Sequence, residues 1–142
     1  MNIQDLHIHT IYSKDVKDNS LSLENIVQRA EEKQIEPIGF ADHYHPDFNA
    51  PTMEEIGQAR SFTRSYQGTL RVYLGTEASI LDQSGRITLS KKERTLFDYA
   101  IASLHPNFPG VARLPAANVR TLIRLSMSGT PGCWTAILRC SV

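Results

Sequence analysis

The run Asp5-Leu6-His7-Ile8-His9-Thr10 puts a carboxylate and two imidazoles at alternate positions of a short apolar stretch. Alternate side chains of a strand share a face, so the pattern predicts Asp5, His7 and His9 on one side, with Leu6 and Ile8 on the other. Polar groups that converge in a core need partners, and a divalent metal supplies them. A solvated edge strand with surface histidines explains a lone His-x-His equally well. Further along the chain, Asp15, Asp42, His43, Glu77 and His105 complete a set rich in His and carboxylate and free of Cys. That set suits Zn, Mn or Fe and disfavours a structural Cys-based zinc site. Several such ions set close together can hold a phosphate oxygen, lower the pKa of a bridging water and stabilise a leaving oxygen. Glu77 suits a bridge between two ions because its carboxylate has two oxygens. Asp15 can fold back to the strand end from its loop, although Lys14, Lys17 and Asp18 beside it also fit an ordinary loop or capping carboxylate.

The elements that must position these groups follow from periodicity. Residues 3–9 read as a first strand and 13–20 as a polar loop. Ser22 suits the N-cap of a helix in which Leu23, Ile26, Val27 and Ala30 recur at helical spacing, and Pro37 requires that helix to stop before it. Residues 37–42 form a buried strand, and Thr52 caps a second helix from 53 to about 66, weakened by Gly57 and Thr63. A third strand is expected over 70–78, a loop or hairpin around Ser84-Gly85, a brief helix over 91–97 and a fourth strand over 98–104. Strands alternating with helices predict an α/β fold of about four βα units, with a parallel sheet or barrel. Ligands of such folds gather at the carboxyl ends of the strands. His7 and His9, then Asp42 and His43, then Glu77, then His105 fall there, which raises His-x-His above the edge-strand explanation.

At 142 residues and 41% hydrophobic content the chain suits one globular domain. No apolar run approaches the length of a membrane span, and the first residues lack the pattern of a secretory signal, so a cytoplasmic location is the expectation. The net charge of zero hides an asymmetry: residues 1–106 hold eleven basic and fifteen acidic residues, a net of −4, whereas 107–142 hold four arginines and no acid. In that second segment 107–110 reads as a turn, 118–127 as a helix and 134–138 as an isolated strand. Cys133 and Cys140 lie there without a His partner, so no redox or catalytic role is expected of them. His45 could meet a substrate phosphate at the site's mouth or be an exposed loop histidine. Arg86, Lys91 and Lys92 read as surface charges, and Tyr12 and Tyr99 as packing residues.

Taken in order, Asp5-Leu6-His7-Ile8-His9-Thr10, Ala41-Asp42-His43, Gly75-Thr76-Glu77 and Ala102-Ser103-Leu104-His105 resemble successive motifs of the PHP family, the polymerase and histidinol phosphatase domain. The resemblance covers residues 1 to about 106. It implies a distorted (βα)7 barrel, of which this chain would supply a part, with a trinuclear metal centre at the carboxyl-end mouth that hydrolyses phosphate esters or diesters. By matching position, His7 and His9 would ligate one metal and Glu77 would bridge to a second, which His105 also ligates. Asp15 and His43 would hold a third, with Asp18 a nearby rival to Asp15. Asp5 and Asp42 would orient ligand histidines rather than bind metal. A hydroxide on the metals, not a side chain, would be the nucleophile.

The family pattern also asks for another His and a later Asp-x-His pair, and no histidine follows His105, so six of nine ligand positions are present. Residues 107–142 are therefore expected to be an atypical tail, read out of frame or following a truncation. The leading expectation is a metal-dependent phosphoesterase acting on a small phosphomonoester, histidinol-phosphatase-like. The alternatives are an inactive metal-binding or truncated fragment of such an enzyme, and a nuclease or proofreading domain acting on DNA. The lack of a basic groove signature weighs against the last.

Overall fold

The computed structural model describes residues 3–45, 50–82 and 85–103. Both helices begin where the sequence offers a cap. Ser22 Oγ accepts from the Asn25 N–H at 3.3 Å and opens α1, Leu23–Lys33, whose Leu23, Ile26, Val27 and Ala30 are buried. The helix ends at Gln34, a left-handed residue (φ 56°) whose N–H reaches back to the Ala30 and Glu31 carbonyls. Thr52 opens α2, Met53–Ser65, with a capping box. Its Oγ1 accepts from the Glu55 N–H at 3.2 Å, while Glu55 Oε2 accepts from the Thr52 N–H at 2.6 Å. This reciprocal pair offsets the poor helix formers Gly57 and Thr63, and α2 buries Ile56 and Ala59.

Among the described residues six strands form two parallel three-stranded sheets. Strands β1 (Ile3–Ile8), β2 (Ile35–Phe40) and β4 (Val72–Leu74) run in the order β1-β2-β4; β3 (His43–Tyr44), β5 (Glu77–Ser79) and β6 (Ile101–Ser103) run in the order β3-β5-β6. The third expected strand is thus split at Gly75-Thr76, while the second, expected over 37–42, runs instead over Ile35–Phe40 and is followed by β3 after Ala41-Asp42. Backbone bonds carry the ladder through these breaks. Ala41 donates to Ile8 (2.8 Å), Gly75 to Phe40 (2.7 Å), Glu77 to Asp42 (2.9 Å) and Ile101 to Thr76 (2.8 Å). Four parallel strand paths result, as the sequence predicts, with a 3-10 turn at Glu93–Leu96 where a brief helix is expected. An antiparallel bridge between Ile80 and Ile87, with Gly85 at φ 83°, forms the expected hairpin. The α/β class and parallel strands agree with expectation, and among the described residues β1 and β6 do not pair to close a barrel.

Both faces of the array carry a core. Ile38, Phe40 and Leu74 pack under the buried faces of α1 and α2. On the other face Ala41, Tyr99 and Ile101 gather with Leu6 and Tyr73. Tyr99 lies so close to Gly39 and Gly75 that a Cβ would come within 2.1 Å of its hydroxyl oxygen at the first and of its ring at the second. Its hydroxyl donates to the Leu6 carbonyl at 2.6 Å. Only glycine admits this approach of ring to backbone.

Strand β1 departs from simple alternation. Its register against β2 shifts on both sides of Asp5, and Leu6 packs with Tyr99 while Ile8 joins the helix-side core. The expected shared face of Leu6 and Ile8 is therefore absent, because an irregularity in pairing re-aims the side chains that follow it. Among the described residues no helix is long and apolar enough to cross a membrane. The turn, helix and strand expected over 107–142 lie outside the described residues.

Candidate metal centre

Parallel strands bring their carboxyl ends to one edge, and the polar residues collect there. Glu77 opens β5 just after the Gly75-Thr76 break, and its Oε2 is met by three imidazoles. His7 Nε2 lies at 3.3 Å, His9 Nε2 at 3.2 Å and His43 Nδ1 at 3.1 Å. His7 Nε2 and His9 Nε2 are themselves 3.2 Å apart, with their rings stacked at 5.2 Å. The other nitrogen of His43, Nε2, is 3.3 Å from Asp15 Oδ2. Among the described residues two groups result, each with ligand atoms within 4.8 Å of one another: His7, His9 and Glu77, and His9, Asp15 and His43.

A buried clasp holds the strand ends in this arrangement. Asp42 Oδ1 accepts from the Thr10 N–H at 2.6 Å and Asp42 Oδ2 from the Thr10 hydroxyl at 2.7 Å, which ties the residue after His9 to the residue before His43. Burial pushes the Asp42 carboxyl up, against the opposing pull of Thr10's two bonds and the charges of His9 and His43. Burial disfavours a charged Glu77 as well. Hydrogen bonds from His7, His9 and Ser103, with the charge of His43, outweigh it and hold that carboxyl far below the usual carboxylate range. Burial lowers His9 too, but the hydrogen bond to Glu77 and the charges of Glu77, Asp42 and Asp15 more than reverse this and raise it.

Of the residues singled out from sequence, His7, His9, Asp15, His43 and Glu77 come together. Asp18 does not; its carboxylate caps the Ser20 N–H at 2.8 Å. Asp5 accepts from the backbone N–H of His7 (3.1 Å) and touches no imidazole, and Asp42 spends both oxygens on Thr10. The expected orienting hydrogen bond from these carboxylates to a histidine ring is therefore replaced by backbone and Thr10 contacts, with Asp42 acting on His9 and His43 through its charge. His45 is buried, at 7% exposure, rather than an exposed loop residue. His105 lies outside the described residues. Thr10, Ser13 and Ser103 carry contacts that sequence reasoning missed, although Thr10 stood inside the first motif as a polar residue closing an apolar run.

The donor set passes a geometric test for a metal. Ligand atoms bonded at about 2.0–2.2 Å to one ion lie about 2.8–3.6 Å from each other, from octahedral to tetrahedral angles. The separations among His7, His9 and Glu77 fall in that interval.

Comparison with known proteins agrees. The family model described as PHP domain matches residues 5–124. A protein of Acetivibrio thermocellus named "Probable phosphatase" is 27% identical over 103 residues, covering 72% of this chain and 41% of the relative. The chain thus spans less than half of that relative's length. These matches support a metal-dependent family of phosphoesterase type. A chain matched over most of its length belongs to the PHP domain family.

Proposed function

We propose that this chain carries the metal-holding strand ends of a phosphoesterase site that hydrolyses small phosphomonoesters, in the manner of a histidinol phosphatase. The observation that supports this most directly is one carboxylate oxygen of Glu77 facing imidazoles from β1 and β3 at 3.1–3.3 Å. His7, His9 and Glu77 would hold one ion. Asp15 and His43 would hold another, with Glu77 placed to bridge and His105 a further ligand. Divalent ions held there, Zn, Mn or Fe, supply Lewis-acid stabilisation of a phosphoryl oxygen and activation of water.

The chain's own residues supply position and dryness. The Thr10–Asp42 clasp sets the distance between the β1 and β3 histidines. Burial of Glu77 concentrates the field of its charge where a cation would sit. The distorted (βα)7 barrel belongs to the same proposal, with the described strands forming one arc of it. So does the division into a domain over 1–106 and an atypical tail.

A second reading is favoured by one observation, the lack of any histidine after His105. In it the chain binds metal without turnover. Purified protein should be titrated with Mn or Zn and assayed for phosphate release from monoesters, histidinol phosphate among them, from a diester and from a DNA 3′ end. Uptake with monoester turnover supports the proposal. Uptake with no turnover supports the second reading, and preference for DNA supports a nuclease. Absence of metal uptake sinks all three.

A further inference from the structure

Ser13 lies in the polar loop after β1, where a serine is ordinarily solvated, yet its exposure is 0%. Its backbone is bound on both sides. The Ser13 N–H donates to the Thr10 carbonyl at 3.0 Å, and the Ser13 carbonyl accepts from the Val16 N–H at 2.9 Å. The hydroxyl oxygen is thereby held 3.1 Å from His9 Nδ1 and 3.4 Å from the backbone nitrogen of His43. One buried oxygen thus touches two residues of the metal centre that come from different strands.

A peptide N–H can only donate, so Ser13 Oγ is an acceptor toward His43. A hydroxyl keeps a second lone pair, which is available to a proton on His9 Nδ1. Used in this way, it lets an ion replace the Nε2 proton that His9 otherwise gives to Glu77, with His7 Nε2 and Glu77 Oε2 both at 3.2 Å. The reverse arrangement, with Ser13 donating to Nδ1, would place a proton on Nε2 and close the gap between His7 and Glu77 to an ion. With Nδ1 engaged, His9 has one lone pair to give and serves one of its two ligand groups at a time.

We propose that Ser13 is a positioning residue of the metal centre, fixing the Nδ1-protonated tautomer of His9 so that Nε2 meets the ion shared with His7 and Glu77. This inference rests on the metal-binding reading of the site.

Calorimetric titration of the full chain with Zn(II), combined with nitrogen NMR of the labelled imidazoles, tests it. In the wild type, zinc is expected on Nε2 of His9 while Nδ1 keeps its proton. Ser13→Ala is expected to weaken zinc binding about 10–100-fold, the range for loss of a group that orients a ligand. Ser13→Thr, which keeps the hydroxyl, should restore most of that loss. Zinc on His9 Nδ1, or wild-type affinity in Ser13→Ala, would overturn the role of Ser13 and leave the metal reading standing. No zinc uptake by the wild type would overturn both. The wild-type spectrum requires no substitution, so the test survives a Ser13→Ala variant that fails to fold.

Discussion

The two ligand groups share His9 and are built on different supports. His7, His9 and Glu77 stand at strand ends or one residue beyond, and the Glu77 side chain is 8% exposed. In the group of His9, Asp15 and His43, the carboxylate comes from a loop, and the Asp15 side chain is 46% exposed. That loop is tied to α2 by exposed contacts, Lys14 Nζ to Glu55 Oε1 at 2.6 Å and the Tyr12 hydroxyl to Gln58 at 3.0 Å. A strand-held group has its ordering cost met by folding, whereas a loop-held one must still lose freedom when it binds. The first group should therefore take an ion at lower concentration than the second.

The sharpest attempt to break this contrast is Glu77→Gln, which removes the charge that the imidazoles surround. Metal uptake should fail at the first group, and phosphate release should drop by about a thousandfold, the scale of several kcal/mol of lost charge stabilisation. Near-normal turnover would contradict the contrast outright. Thr10→Val should disturb both groups at once, because it takes the hydroxyl from a buried carboxylate at a cost of about 1–3 kcal/mol, read from urea unfolding. Asp15→Asn should act on the second group alone: metal content falls by one equivalent, the tight site persists, and turnover falls about tenfold, some 1.4 kcal/mol. An equal loss at both sites would erase the distinction.

Titration of the metal-free chain reports on the first group. Glu77, held below its ordinary 4.5, contributes stability above that value and loses it as pH falls further. His9, held above its ordinary 6.5, contributes fully below 6.5 and loses it as pH rises through its folded value. The Tm of metal-free protein should accordingly be highest between pH 4.5 and 6.5. The Tm gain from added zinc should instead grow with pH, since an ion needs unprotonated imidazoles. Lys14→Ala is the mildest probe. An exposed ion pair contributes about 0–1 kcal/mol, so stability should barely move, and any effect on metal should appear at the second group only.

Much of this was legible because it is local. Ser22 and Thr52 cap helices within a few residues of themselves, and Asp42-His43 and Glu77 follow apolar runs whose length marks a strand end. What escaped is relational. The register shift that parts Leu6 from Ile8 arises between β1 and β2, so the periodicity of β1 alone carries no trace of it. The burial of Ser13 depends on Thr10, His9 and His43 arriving around it, and a serine in a polar loop looks the same whether buried or solvated. Gly39 and Gly75 stand inside expected strands, and nothing local marks them as the places where Tyr99 presses on the backbone.

That ring has a bearing on the order of folding. The Tyr99 hydroxyl grips the carbonyl just before His7, a contact between residues 93 apart in sequence. Closing so long a loop costs chain entropy that no local contact repays, so such contacts form late. Helix α1, capped by its neighbour and packed on the adjacent β2, can be in place well before β1 is pinned from behind. Pulse-labelled hydrogen exchange should then protect α1 ahead of β1. Among the described residues the metal centre would mature late, its first ligands waiting on a tyrosine synthesised some ninety residues later.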